Sequence, residues 1–417
     1  MRDGNSMASR TPSTRGEPVL SHSAASRAFT VAAMAEFLVL GLPDGMIGVA
    51  WPEMGAHYRQ PVSALSVLLL ASTCGFFVMS SVSGLVVQRF GARPAVVAAS
   101  FCGVVGTVGI ASGRAFWVAI VAVAVLGGAG GIIDSALSSV VSMAGSDRMM
   151  SLLHGIYGAG AALAPLIIAA WAAGSSWQGG YATLAVVQCA VLVCWLRRRA
   201  RFPAPPSGSG VVEPTPGGPS PRNATVVGML AFFFASGFEI AAGAWAATYL
   251  VDHFHLAAGP ASICVFGYWA SLSGSRLFVG MTRAVLAPRI WILVGCVSAV
   301  AGSALFWLAP SAPGAVVGLV ILGLGSGPMF PLLTSLTPLR VGLLATPRVI
   351  GWQLGAASIG AGVISGGVGL LVHRSGSGAI GLSLLVVSVV VVGFVALLDV
   401  VAPGQAPVDS EVAGSTV

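Results

Sequence analysis

The fold is indicated most clearly by the run AFWVAIVAVAVLGGAGGIIDSALSSVV, from Ala115 to Val141. It contains one charged side chain, Asp134, in an otherwise apolar or small-residue sequence. About 20 consecutive apolar residues are enough for a helix to cross the hydrocarbon core of a bilayer. The run therefore predicts a transmembrane helix that carries a single carboxylate.

The composition of the whole chain agrees with a membrane location. Apolar residues make up 56% of the 417 residues, and charged residues make up 8%. A soluble chain has about 25% charged residues, which cover its surface. The 56 glycines lie mostly within apolar runs, where small residues let membrane helices approach each other closely. Lipid is therefore the expected solvent for most of this chain.

Eleven other segments resemble the first in length and apolar content, so we predict an all-α membrane protein with 12 transmembrane helices. We number the predicted segments 1 to 12 along the chain. Their expected spans are 28–50, 63–87, 94–112, 115–141, 150–173, 179–196, 224–250, 258–281, 289–308, 313–336, 346–372 and 377–398. The division between segments 9 and 10 is the narrowest, because only Ala309 to Ala312 separate them.

Arginine placement predicts the orientation of these segments. All basic residues are arginine, and they lie in the gaps between apolar runs, so the net charge of +7 does not indicate a nucleic-acid partner. If the N-terminus is cytoplasmic, the outer loops hold only Arg59, Arg114 and Arg374. By the positive-inside rule both termini are then cytoplasmic, and the protein is a multi-pass protein of the cell membrane. The first apolar run is too long for a signal-peptide core, so we expect it to be retained.

A linker divides the chain into two halves of six segments. It is rich in proline, glycine and serine after an arginine cluster, which is typical of a flexible segment. The expected organisation is a cytoplasmic tail (1–27), an N-terminal six-helix bundle (28–196), a cytoplasmic linker (197–223), a C-terminal six-helix bundle (224–399) and a second cytoplasmic tail (400–417).

The two halves repeat each other in sequence. Segments 1 and 7 share a pattern of glycine, acid, glycine and tryptophan, formed by Gly41, Asp44, Gly48 and Trp51 in one and by Gly237, Glu239, Gly243 and Trp245 in the other. Repeated bundles are the organisation of carriers in which two halves rock around a midplane site. An ATP-driven pump would need a Walker loop with its lysine, and the chain has no lysine.

Several motifs in this order are similar to those of the major facilitator superfamily. The loop from Gly84 to Pro94 resembles its G-x-x-x-D-R-x-G-R-R motif, with Gln88 at the acidic position. The resemblance extends over about 28–398 and is to the sugar-permease-like branch related to fucose:proton symporters. Its other elements are Gly41–Pro52, Asp134, Leu153–Ala161, Gly237–Glu239, Tyr268–Trp269 with Arg276, and Phe330–Pro331. Ser138 and Ser151 stand where members often have asparagine, which weakens the case for a sugar more than the case for the fold.

Ionisable side chains within predicted spans are the candidates for proton coupling, because charge at the bilayer centre is costly and seldom present without a use. They are Glu36, Asp44, Asp134, Glu239 and His154. Counted at 1.5 Å per residue, Glu36 and Glu239 lie near the midplane, Asp44 lies outward and Asp134 inward. Structural alternatives are that Asp44 marks a helix break and that Asp134 pairs with His154.

The candidates for substrate binding are Trp245, Trp269, Trp352, Gln353 and Arg276. Aromatic faces can stack on sugar rings or aromatic drugs, but tryptophan at a helix end is more often an interface anchor. Arg276 has a structural role as its alternative. We expect no catalytic residue, no cofactor and no metal site, because the six cysteines and six histidines are scattered.

The sequence thus predicts a secondary transporter that carries a small polar, sugar-like solute, with protons as the coupling ion, as a monomer in the lipid bilayer. The alternative is a proton antiporter that exports a drug or secondary metabolite. Gly160 and Pro165 match the segment 5 motif of drug antiporters, but its later glycines are missing. A membrane enzyme or a receptor is the least favoured class.

Overall fold

The structure is a computed structural model that describes residues 27–61, 64–172, 177–197, 202, 221–282 and 286–403. The predicted linker and both predicted tails lie almost entirely outside these residues. Within them the chain forms twelve long helices and one short helix. Eleven of the long helices are apolar and long enough to cross a membrane by length and composition. The prediction of an all-α membrane protein in two six-helix bundles is confirmed.

The N-terminal half consists of six long helices. They are α1 (Arg27–Tyr58), α2 (Leu65–Phe90), α3 (Ala92–Ala111), α4 (Phe116–Met143), α5 (Asp147–Ala172) and α6 (Trp177–Arg197). Only Gly91 lies between α2 and α3, and its φ of +89° is a conformation that glycine adopts without the steric cost of a side chain. Helix α1 continues as a helix through Pro43 and Pro52, so Asp44 does not mark a helix break.

The C-terminal half repeats this arrangement with one short helix added. Its helices are α7 (Pro221–Phe254), α8 (Ala258–Met281), α9 (Pro288–Leu308), α10 (Ala312–Ser335), α11 (Thr337–Val341), α12 (Thr346–Ser375) and α13 (Ala379–Val401). The separation of α9 from α10 occurs where the sequence predicts it. Predicted segments 11 and 12 correspond to α12 and α13, because the short α11 lies between them.

Each half has its own hydrophobic core. One cluster of buried apolar side chains runs from Phe29 to Trp195, and a second runs from Ala231 to Leu398. In the C-terminal half Asp399 also forms ion pairs with Arg340 of α11 at 2.9 Å and with Arg289 of α9 at 3.2 Å. Two separate cores allow each half to move as a unit.

The halves contact each other at the end of the bundle where α1 begins, which we call the closed face. There a β-carbon at Gly84 of α2 would overlap the backbone of Arg348 on α12, and one at Gly155 of α5 would overlap Leu277 of α8. Such close approach of two helices depends on glycine. Ser142 of α4 adds a 2.8 Å hydrogen bond to the carbonyl oxygen of Thr334 on α10.

Two further hydrogen bonds join the halves at the closed face. The Arg148 side chain donates through Nε to the Gly280 carbonyl oxygen at 3.0 Å. Gln88 donates through Nε2 to the Leu344 carbonyl oxygen at 3.3 Å. We call the contact between the halves at the closed face the seam. Both bonds end on backbone carbonyls, so they hold the seam without an ion pair.

At the opposite end, which we call the open face, the same helix pairs separate. Gly355 of α12 contacts Phe77 and Ser81 of α2, but Gly362, two turns further along the same face, has no neighbour within contact distance of a β-carbon. On α2, Leu70 lies two turns beyond Phe77 and is 64% exposed. Phe266 of α8 is likewise 64% exposed, two turns beyond the contact region. The halves therefore form a V that opens toward the C-terminal ends of α1 and α7. We call the space between the arms of the V the cleft.

Candidate functional site

An ion pair in the C-terminal half joins helices α7 and α8. Arg276 of α8 donates through Nη2 to both carboxylate oxygens of Glu239 on α7, at 2.9 and 2.8 Å. Its Nε donates to the Gly327 carbonyl oxygen of α10 at 2.8 Å. The two side chains are 7% and 14% exposed. Through these bonds Arg276 links α7, α8 and α10.

Asp134 faces this ion pair from the N-terminal half. It is buried on α4, and its carboxylate accepts a 2.9 Å hydrogen bond from Ser138 one turn later. Asp134 and Arg276 are close enough to interact electrostatically across the seam. An anion in one half and a cation in the other attract each other, so their charges contribute to holding the halves together.

Asp44 lies on the open-face side of this layer. The Tyr157 hydroxyl of α5 donates a hydrogen bond to its carboxylate. The two helices approach closely because Gly41 and Gly160 carry no side chain, and a β-carbon at either position would overlap the backbone of the other helix. Asp44 is exposed, which is consistent with a position on the wall of the cleft.

His154 lies in an aromatic cluster on the closed-face side. Its ring packs edge-on against Phe37 of α1 and Phe330 of α10, with centroid distances of 5.3 Å to each, and Phe330 also contacts Phe232 of α7. The cluster joins helices of both halves. His154 Nε2 is buried and has no hydrogen-bond partner among the described residues. The structural alternative, a pairing of His154 with Asp134, is not seen among the described residues, where the hydrogen-bond donor to Asp134 is Ser138.

Glu36 is separate from the cleft. It is buried within the N-terminal half, where it accepts hydrogen bonds from Ser100 of α3 and from the indole of Trp195 on α6, each at 2.7 Å. These donors satisfy a carboxylate between α1, α3 and α6. Its side chain points into one bundle and not toward the other half.

The predicted aromatic binding residues divide into two groups. Trp245 and Trp269 are partly exposed in the C-terminal half; Trp245 donates to the Ser365 carbonyl oxygen at 2.9 Å, and Trp269 packs where a side chain at Gly243 would lie. Trp352 instead lines a groove at the closed face.

Gln353 is next to Trp352 in sequence and is buried at the same end of the bundle. Its side-chain oxygen accepts a 3.1 Å hydrogen bond from Thr337 of α11. Neither Trp352 nor Gln353 is brought together with the carboxylates.

Sequence reasoning gave no role to Tyr157, Phe330 or Ser138 in this site. Tyr157 could have been found, since it follows His154 by three residues and therefore lies on the same side of α5. Among the described residues, no group of three histidine, cysteine, aspartate or glutamate side chains is arranged to hold a metal ion.

Comparison with known proteins gives a consistent result for the fold. The model of the Major Facilitator Superfamily matches residues 34–365. The E. coli fucose:proton symporter FucP is 14% identical over 88% of this chain and 98% of its own, with a TM-score of 0.71, and FucP in the outward conformation gives 0.73. No curated protein matches the chain in a sequence search.

Two other solved structures show the same likeness. The proton:xylose symporter XylE is 13% identical, with 89% of this chain and 95% of its own covered and a TM-score of 0.68. The human organic anion transporter MFSD10 is 17% identical, with 89% and 97% covered and a TM-score of 0.62. At these identities the likeness concerns the fold alone.

Proposed function

Because the chain belongs to the Major Facilitator Superfamily, we propose that it is a proton-coupled secondary transporter that carries a small polar, sugar-like solute by alternating access. The observation that carries the proposal is the layer of ionisable side chains between the halves. Asp134 comes from the N-terminal half, and the Glu239–Arg276 pair comes from the C-terminal half. This layer lies at the bottom of a cleft that opens at one face.

Alternating access requires a seam that can be released. The closed face is held by close glycine contacts and by hydrogen bonds to backbone carbonyls, such as those from Ser142 and Arg148. Interactions of this kind contribute about 1 kcal/mol each. Each half keeps its own hydrophobic core, so the seam can part while both halves stay folded.

Protonation of Asp134 supplies the coupling in this proposal. Carboxylates inside membrane proteins commonly relay protons, and Asp134 takes up its proton from the open cleft. Neutral Asp134 no longer attracts Arg276 across the seam, while Glu239 keeps Arg276 paired within its own half. The loss of this attraction weakens the closed face and favours its opening.

The charge of the cleft favours a neutral solute over an anion. Arg276 is the cation of the ionisable layer, and Glu239 already neutralises it. Asp44 and Asp134 add negative charge around the same space. Asp44 and Tyr157 offer hydrogen bonds to hydroxyl groups, and the partly exposed Trp245 and Trp269 offer apolar surface to a ring.

The closed face is cytoplasmic in this proposal. Arginines gather at that end of the bundle, among them Arg89, Arg93, Arg148, Arg197 and Arg222. By the positive-inside rule we infer that the protein lies in the cell membrane with its cleft open to the outside.

The test is transport by purified protein in proteoliposomes. Radiolabelled L-fucose, D-xylose and a panel of other pentoses and hexoses serve as probes, under an imposed pH gradient with the external side acidic. We expect uptake of at least one sugar to collapse with a protonophore. In Asp134→Asn uptake should be lost or become insensitive to the protonophore, whereas Asp252→Asn, the same change at an exposed site on α7, should behave as wild type.

Two results would contradict the proposal. One is full, protonophore-sensitive uptake by the Asp134→Asn variant. The other is the absence of any sugar transport, combined with proton-driven extrusion of a hydrophobic drug, which would establish the antiporter instead.

A further inference from the structure

A groove at the closed face is separate from the transport site. It is about 650 Å³ in volume and lies where the end of α2 meets the beginnings of α7 and α12. Its lining residues are Gln88, Arg222, Thr225, Val226, Met229, Leu344, Ala345, Arg348, Val349 and Trp352. The lining combines two arginines with a mostly apolar wall and contains no acidic residue.

The two arginines give the groove its charge. Arg222 lies in the first turn of α7 and Arg348 in the first turn of α12, and both are exposed. Neither forms an ion pair with an acidic side chain in the part of the chain that the structure describes. Helix N-termini carry a partial positive charge, so α7 and α12 add to the attraction for an anion.

The apolar wall lies beside this charge, deeper along the same helices. Val226 and Met229 follow Arg222 by one and two turns on α7, and Val349 and Trp352 continue the lining along α12. Trp352 is 37% exposed. A tryptophan beside cationic side chains at a helix end is typical of the boundary between headgroups and hydrocarbon.

We propose that this groove binds an anionic phospholipid. The phosphate lies between Arg222 and Arg348, and an acyl chain lies along Val226, Met229 and Trp352. Charge complementarity selects an anion, and the apolar wall selects one that carries a hydrocarbon chain. The assignment does not depend on what the cleft transports.

Occupation of the groove also bears on the state of the seam. Gln88 belongs to the N-terminal half, and it is hydrogen-bonded both to the Leu344 carbonyl oxygen and to Arg348 at 3.3 and 3.5 Å. The groove is therefore complete only while α2 contacts α12 at the closed face. A lipid bound there stabilises the arrangement in which the cleft opens at the opposite face.

Quenching of Trp352 by brominated lipids tests the site. The full-length protein is reconstituted into phosphatidylcholine nanodiscs with increasing fractions of brominated phosphatidylglycerol or of brominated phosphatidylcholine. The difference between wild type and Trp352→Phe isolates the signal of this tryptophan. We expect half-maximal quenching at a lower fraction of the anionic lipid than of the zwitterionic one.

Variants that remove an arginine measure how much each charge contributes to lipid binding. An arginine near an anionic headgroup strengthens binding about fivefold, so Arg222→Gln should need about fivefold more phosphatidylglycerol and the Arg222→Gln/Arg348→Gln double variant about 25-fold more. If the double variant does not fold, the Arg222→Gln variant alone tests whether the arginines bind the anionic headgroup. Arg197→Gln, which removes an exposed arginine at the same face on α6, should match wild type.

Three outcomes would overturn the proposal. Equal quenching by the two lipids would mean that the groove has no preference for an anionic headgroup. Unchanged quenching in Arg222→Gln would mean that Arg222 does not contribute to binding of the anionic headgroup. Displacement of the brominated lipid by inorganic phosphate would mean that the acyl chain adds nothing to the binding.

Discussion

Breaking the Glu239–Arg276 ion pair should destabilise the C-terminal half unless both charges are removed together. At 2.8 Å and an effective dielectric constant of about 20, the attraction of two unit charges is about 6 kcal/mol. Burial of each ion offsets several kcal/mol of this. Glu239→Gln leaves Arg276, which is 7% exposed, without its counter-ion, and loss of one partner of a buried pair costs about 3–5 kcal/mol.

The assay is a double-mutant cycle of Glu239→Gln, Arg276→Gln and their combination, with the free energy of unfolding measured in detergent micelles. Each single variant should lose about 3–5 kcal/mol, and the double variant should recover about 2–3 kcal/mol relative to the sum of the singles. Arg289→Gln is the matched control, because that arginine is 53% exposed in its own ion pair and should lose under about 1 kcal/mol. Additive effects of the two single substitutions would show that Glu239 and Arg276 do not stabilise the protein as a pair.

Three other perturbations test the remaining parts of the structure. Glu36→Gln should weaken the hydrogen bonds from Ser100 and Trp195 and lower the free energy of unfolding by about 1–3 kcal/mol, yet leave protonophore-sensitive uptake intact; loss of coupling with normal stability would contradict this. Gly84→Val should force α2 away from Arg348 and lengthen the distance between spin labels at positions 88 and 344, and an unchanged distance would show that the seam tolerates a side chain there. Asp399→Asn should leave Arg340, with a side chain 4% exposed, without its counter-ion and cost about 3–5 kcal/mol of stability, whereas unfolding at the wild-type denaturant concentration would count against that role.

Much of the fold could be predicted because the bilayer imposes a length and a composition on every helix. The run that contains Asp134 and the narrow division before Ala312 were sufficient to place helix ends within a few residues. Helix α1 extends to Tyr58. Its predicted end at residue 50 was too early, because the last two turns carry Trp51 and Glu53 and do not continue the apolar run. The short α11 was missed, since five residues give no hydrophobic period to detect.

The candidate site was less predictable because position along a helix gives depth but not direction. Glu36 and Glu239 are at similar predicted depths, yet Glu36 points into one bundle and Glu239 is paired near the seam. The partner of Glu239 is 37 residues away on another helix, and no local pattern links the two. Trp352 was a candidate for substrate binding, but α12 begins only six residues earlier, at Thr346, which leaves it near the closed face.

In the proposed mechanism the two halves rock around Asp134, and protonation of Asp134 releases the closed face. Pulsed electron–electron distance measurements between spin labels at Leu70→Cys on α2 and Gly362→Cys on α12, in a background without the six native cysteines, follow the open face directly. We predict a long distance at alkaline pH, a growing population of shorter distances as the pH falls, and short distances at every pH in the Asp134→Asn variant. A single distance that stays the same across pH in a protein competent for transport would show that protonation of Asp134 does not release the closed face.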